Sequence, residues 1–203
     1  MHLEHDDDMI RLELKVLNKA IVFYIGNRPN LLSFGLTNET VDNYFVPFID
    51  YDNIYYDTVL KDLRHIQAVF SLGPLILITS QQQKDANGFV YGNYHVIGLD
   101  KLTYQEHLEM LKHTRCDRNF ISAPTFYKGR HWVLRFSEKF YTKNGKVKRK
   151  KPIFKEIVYN KPPFERKASY GHYLALRKLF NIPRLDLNFD KFTHTDMIQY
   201  QAR

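Results

Sequence analysis

The spacing of apolar residues divides the chain into short segments with turn signals between them. From Ile10 to Ile25, β-branched and leucine positions intermix until Gly26-Asn27-Arg28-Pro29-Asn30 breaks the pattern as a turn. Phe45-Val46-Pro47-Phe48-Ile49 is a short apolar run ending in Asp50-Tyr51-Asp52-Asn53, which predicts a buried strand with polar residues at its carboxyl end. Val59, Leu60, Leu63, Ile66, Val69 and Phe70 recur at three- and four-residue spacing and predict a helix that Gly73-Pro74 stops. Leu75-Ile76-Leu77-Ile78 reads as a second buried strand and Tyr94-His95-Val96-Ile97 as a third. Between them, Ser80 to Gly92, with Gln81-Gln82-Gln83 and the Asn87-Gly88 turn, reads as a polar loop. Thr103 and Glu106 form a capping-box pair that opens a second helix, with Leu108 and Leu111 inward and an end near His113. His131 to Phe136 alternates as a further strand, and Asn144-Gly145 marks a turn before Lys146 to Val158 returns, predicting a long hairpin. Ala168 to Phe180 carries Tyr170, Tyr173, Leu174 and Arg177 at helical spacing, and Ile182-Pro183 ends it.

The middle of the chain therefore runs strand, helix, strand, strand, helix, strand. That order predicts an α+β fold with a ferredoxin-like or RRM-like (RNA-recognition-motif-like) sheet backed by two helices, the plan of many polymerase palms. At 203 residues the chain is expected to form one domain. Its expected parts are an additional N-terminal α/β lobe over 1–44, a palm over 45–160 with a hairpin at 131–158, and a C-terminal helical segment over 161–203. A fold of this kind leaves function open, so the chemistry rests on particular residues.

Charge narrows the partners. A formal charge of +8 and a pI near 9.4 favour a polyanion, with nucleic acid first and an anionic membrane surface second. Fourteen Tyr and fifteen Phe furnish a core and also rings of the kind that stack on unpaired bases. The single Cys116 excludes an internal disulfide framework and a cysteine-rich zinc site, so no zinc is expected. No apolar run approaches the ~20 residues of a membrane span, and the start of the chain is acidic where a signal peptide is basic and then apolar. An intracellular, cytoplasmic protein without a membrane partner is expected.

The candidate chemistry lies in three places. Asp50 and Asp52, two apart on a strand, present carboxylates side by side, and hard oxygen donors of this kind suit Mg²⁺ or Mn²⁺. The plainer reading is a solvated strand end. His95 stands alone on its strand, where it is either a phosphate contact or a core histidine satisfied by backbone. Cys116-Asp117 adds a third carboxylate, which also fits a turn residue at a helix end. Farther on, Lys143, Lys146, Lys148, Arg149, Lys150 and Lys151 place six cations in nine residues. They read either as a ribbon gripping a nucleic-acid backbone or as lysines protecting an edge strand from aggregation. Tyr141, Phe154 and Tyr159 lie alongside as packing or stacking rings, and His2 and His5 among the N-terminal aspartates read as an acidic tail.

Taken in order, Phe48-Ile49-Asp50-Tyr51-Asp52, then Asn93-Tyr94-His95, then Cys116-Asp117 resembles the archaeo-eukaryotic primase superfamily over residues 45 to 139. That family carries hydrophobics followed by Asp-x-Asp, later a small residue-x-His, and later a hydrophobic-Asp. The resemblance implies a primase-polymerase: a nucleotidyltransferase extending strands on a single-stranded DNA or RNA template from NTP or dNTP by two-metal phosphoryl transfer. It implies that Asp50, Asp52 and Asp117 hold two Mg²⁺ or Mn²⁺ ions and that His95 meets the triphosphate. Arg130, His131 and Arg135 would supply further nucleotide contacts, and Lys146, Lys148, Arg149, Lys150 and Lys151 would contact the template. Asn93 departs from the family's small residue, and the zinc element of many relatives is missing. With no helicase segment, a separate helicase or replication protein is an expected partner, in a plasmid, viral or defence setting. Two rival classes stand beside this one. One is a replication-initiator nickase using a tyrosine nucleophile, for which Tyr170 and Tyr173 lack the paired-histidine motif. The other is a non-catalytic single-strand-binding module in which the aspartates are structural.

Overall fold

A computed structural model describes residues 3–6, 9–16, 19–26, 32–126, 132–136, 139–143, 146–160, 165–192 and 197–201. The chain divides into two compact units, residues 1–32 with 201–203, and residues 33–200. The first is a three-stranded antiparallel sheet of β1 (Leu3–Asp6), β2 (Met9–Val16) and β3 (Lys19–Gly26), with β2 in the centre. Ile10, Leu12 and Leu14 lie opposite Ile25, Phe23 and Ile21, while Arg11, Glu13 and Lys15 hold the alternate positions. This period of two belongs to strands. The lobe expected to be α/β is accordingly all β among the described residues.

The second unit is α+β, with antiparallel sheets and four helices among the described residues. It opens with β4 (Leu32–Thr37). Its main sheet has the order β11-β6-β7-β5, built from β5 (Phe48–Tyr55), β6 (Leu75–Lys84), β7 (Val90–Gly98) and β11 (Ile153–Val158). Helix α1 (Tyr56–Phe70) connects β5 to β6, and β7 is hydrogen-bonded between those two strands. The α1 stripe of Val59, Leu63 and Ile66 is fully buried, and Ser71 in the left-handed conformation ends the helix. Tyr51 and Tyr94, also fully buried, face this helix: Tyr51 Oη lies 3.5 Å from Asp62 of α1, and the Tyr94 ring packs against Tyr56. The opposite face of the sheet packs Phe48 against His172 of α4 (Tyr170–Phe180), and Ile78, His95 and Ile97 against Leu36, Leu134, Phe136 and Phe180.

Helix α2 (Tyr104–Lys112) begins with the expected box: Glu106 N–H donates to Thr103 Oγ1, and Thr103 N–H donates to Glu106 Oε2. Leu111 is buried and His113 caps the end. Then follow α3 (Arg118–Phe126), β8 (Val133–Arg135), the pair β9 (Lys139–Lys143) and β10 (Lys146–Lys150), and finally β12 (Met197–Gln201).

Three expectations are corrected here. The strand expected at His131 to Phe136 does not close the main sheet. Its described part, β8, pairs with β4 in a separate sheet of order β12-β4-β8, and β11 takes the place beside β6. The long hairpin is shorter, because β9 and β10 form a two-stranded ribbon of their own while β8 and β11 join different sheets. Finally, Ser80 to Gly92 is mostly strand: β6 runs through Gln81-Gln82-Gln83 to Lys84, and only residues 85–89 turn. The glutamines are polar because that end of the hairpin projects into solvent, with residues 82–84 exposed, while its backbone ladder continues. The C-terminal segment holds β12 as well as α4.

Candidate metal centre

Two local features set the carboxylates. β5 is an edge strand, and its ladder with β7 pairs Asp50 with His95 and Tyr51 with Tyr94, then jumps to Ile54 with Gly92. Asp52 and Asn53 thus stand opposite Asn93 alone, as a β-bulge that turns the strand at the second aspartate. Asn53 takes the left-handed conformation at φ 52°, and its N–H donates to Asn93 Oδ1 at 3.0 Å. Asn93 therefore has a definite structural task beside the aspartates.

The third carboxylate arrives by backbone. The outer edge of β5 is free to pair, and the Asp117 N–H donates to the Asp50 carbonyl at 2.8 Å. Asp117 then caps α3, its Oδ1 accepting from the Asn119 N–H at 3.2 Å. Asp62 of α1 fastens the approach: it accepts from the Arg115 N–H at 2.8 Å and from Arg115 Nη1 at 2.6 Å, and it faces Tyr51 Oη. One buried carboxylate thus holds both the strand segment between Asp50 and Asp52 and the turn leading to Asp117. Cys116 is buried in that turn, and burial pushes its thiol up to about 12, so it is no nucleophile. Burial, with Asp62 nearby, likewise drives Tyr51 well above the usual tyrosine range.

The outcome is a cluster of Asp50, Asp52 and Asp117 in which each residue offers an oxygen within 4.8 Å of the others. Asp50 and Asp117 are half-buried and Asp52 is exposed, so the cluster opens to solvent. His95 Nδ1 lies 2.8 Å from Asp50 Oδ1, and the two side chains are only 14% and 20% exposed. The contact is close in distance but out of hydrogen-bond alignment, and neither atom has another partner. A buried carboxylate oxygen without a hydrogen bond, beside two more carboxylates, is a donor set that fits a hard divalent cation.

No family model, curated protein or solved structure matches this chain.

The other candidate residues lie on other elements or outside the described residues. Arg135 lies on β8, opposite Gly35 of β4, in the smaller sheet. Arg130 and His131 lie outside the described residues. On the ribbon, Lys146, Lys148 and Lys150 stand opposite Lys143, Tyr141 and Lys139. Register therefore assigns five lysines and one tyrosine to the same set of alternate positions, while Arg149, opposite Phe140, belongs to the other set. Lys151 follows the ribbon as an exposed residue. Tyr173, one of the nickase candidates, is buried at 4% exposure and stacks on Phe189 with ring centroids 4.8 Å apart. Sequence reasoning missed Asp62, Asn53 and Asn93 as positioning residues. The available signal was an acidic residue on the apolar stripe of α1 and an Asn-rich strand end facing another Asn.

Proposed function

We propose that this protein is a metal-dependent nucleotidyltransferase that extends or primes strands on a single-stranded nucleic-acid template, a primase-polymerase of the archaeo-eukaryotic type. The observation that carries the reading is the convergence of Asp50, Asp52 and Asp117 within 4.8 Å, with Asp50 Oδ1 buried and lacking a hydrogen bond. The β5–α1–β6 unit bracketing β7 supports a palm-like scaffold, although the fourth strand, β11, lies beside β6, whereas a ferredoxin-like sheet sets it beside the first strand.

Asp50, Asp52 and Asp117 would hold Mg²⁺ or Mn²⁺. Bound there, divalent ions supply neutralisation of triphosphate charge and a lowered pKa for an attacking 3′-hydroxyl. The chain's own contribution is position. The β5 bulge and the Asp117–Asp50 backbone bond hold the carboxylates rigidly, and Asp62 anchors both segments. His95, its Nδ1 turned toward Asp50, has no other hydrogen-bond partner among the described residues, and in its protonated form presents Nε2–H to a phosphate oxygen. The register of the β9–β10 ribbon supports contact with the template backbone through Lys139, Lys143, Lys146, Lys148 and Lys150.

The test is incorporation of labelled nucleotide on a single-stranded template with Mg²⁺ or Mn²⁺, intact protein against Asp50→Ala/Asp52→Ala. Metal-dependent incorporation that disappears in the variant supports the proposal. Salt-sensitive single-strand binding without incorporation, equal in both proteins, would replace it with a non-catalytic binding module, the reading that the ribbon by itself favours.

A further inference from the structure

A second constellation lies apart from the carboxylates, where the C-terminal end of α2 meets α1. His65 projects from α1 and His113 caps α2, and both are exposed. Their facing nitrogens, His65 Nε2 and His113 Nδ1, are 3.3 Å apart, with ring centroids 5.5 Å apart and planes inclined by 32°. Two nitrogens bound at ~2.0–2.1 Å to one tetrahedral ion stand about 3.3–3.4 Å from each other. The two nitrogens are within hydrogen-bond distance of each other, and the same separation suits two ligands sharing one ion.

The surroundings favour the same occupant. Glu109, one turn before His113, has its Oε1 3.7 Å from His113 Nε2, the nitrogen that does not face His65. Glu109 Oε2 pairs with Lys112 Nζ at 2.8 Å, and Oε1 lies near the far nitrogen without hydrogen-bonding to it, at the place from which a carboxylate orients a metal-bound histidine once the two draw together. The Phe70 ring meets His113 edge-on with centroids 5.4 Å apart and limits its rotation. The C-terminal end of α2 also carries the negative pole of the helix, which favours a cation there.

We propose that His65 and His113 form a site for a borderline transition-metal ion such as Zn²⁺, completed by water, with Glu109 as a positioning residue. Imidazole nitrogens select such ions, whereas the carboxylate cluster selects hard ones, so the two sites differ in chemistry as well as place. The single cysteine excludes only a cysteine-rich zinc site, and the expectation of no zinc drawn from it does not reach a site built on imidazole. Its position has a consequence, because Thr114, Arg115, Cys116 and Asp117 follow His113 directly. An ion joining α1 to His113 clamps the segment that delivers Asp117 to the carboxylate cluster.

The experiment is calorimetric titration of the full chain, purified without a polyhistidine tag, with ZnCl₂, repeated on His65→Ala, His113→Ala, Glu109→Gln and Asp117→Asn. One site is expected whose affinity falls at least tenfold in each histidine variant and roughly tenfold in Glu109→Gln, and stays the same in Asp117→Asn. Circular dichroism confirms that each variant is folded, and His65→Gln and His113→Gln replace any alanine variant that is not. Cu²⁺ as a spectroscopic probe should show nitrogen superhyperfine structure that either histidine substitution diminishes. Zinc affinity equal in the intact protein and both histidine variants overturns the proposal, as does zinc binding lost only in Asp117→Asn, which assigns the ion to the carboxylates.

Discussion

Asp117 does two jobs that one substitution can separate. Its backbone pairs with Asp50 and its side chain caps α3, and asparagine keeps both roles while removing the charge. Asp117→Asn is expected to change stability by no more than about 1 kcal/mol in metal-free buffer, with any change upward, because it relieves like-charge repulsion. Metal-dependent incorporation should fall at least about a hundredfold; an active Asp117→Asn protein would remove this residue from the metal site. Two buried titratable groups act in opposite directions on the acid response. His107 accepts from the Phe48 N–H, and burial pushes its pKa down from 6.5 to about 3. In that window the unfolded chain binds a proton that the folded chain refuses, so the histidine's contribution to stability is lost as pH falls, by up to about 1.4 kcal/mol per pH unit. Asp100 is opposite: burial raises it from 3.8 to about 6, so between those values the folded chain takes the proton first and gains stability as pH falls. The two slopes oppose each other between pH 6 and 3.8. Urea midpoints measured across that range should fall more steeply with acid in Asp100→Asn, and less steeply in His107→Gln, than in the intact protein.

At the scale of elements, the β6–β7 hairpin and the β5 bulge form one construction. β6 and β7 shift register between Thr79 and Gln81, next to the place where β5 bulges against Asn93. Gly92 sits at this double irregularity, where an added Cβ would lie 2.0 Å from the Gln81 carbonyl oxygen. Gly92→Ala must push β7 away from β6 and is expected to cost about 3 kcal/mol or more. Gly88, at φ +84° with open space around it, should cost only about 1 kcal/mol as alanine. Equal urea midpoints for these variants would contradict this picture of the hairpin. Asn93→Ala removes the acceptor for the Asn53 N–H, worth about 1 kcal/mol, but it also frees the bulge that aims Asp52, so incorporation should suffer more than stability.

For the whole molecule, the relevant quantity is where the excess of positive charge lies. The β9–β10 register concentrates lysines in one set of positions, in contrast with the carboxylate cluster of Asp50 and Asp52 on β5 and Asp117 before α3. If this ribbon holds single strands, replacing Lys146, Lys148 and Lys150 by serine should reduce the steepness of the log affinity against log salt plot by about 2, at ~0.7 per phosphate contact. Arg149→Ser, in the alternate set, should change it less. A slope unchanged by the triple substitution would transfer the binding surface elsewhere. No helix among the described residues is long and apolar enough to cross a membrane.

Much of this was legible in the sequence because it depends on neighbours in the chain. The capping box of α2, the buried stripe of α1 and the side-by-side placement of Asp50 and Asp52 follow from hydrogen bonds and periods spanning two to four residues. Period-2 alternation in Ile10 to Val16 also carried the all-strand nature of the first unit, though mixed leucines obscured it. What only the tertiary structure decided is non-local. Asp117 meets Asp50 because β5 is an edge strand with an unpaired side, and His95 meets Asp50 because β7, not β6, is the neighbour of β5. The exchange of β8 for β11 in the main sheet is of the same kind: any apolar alternating strand satisfies the local pattern, and the choice of partner depends on which pairing buries the most surface across the whole sheet.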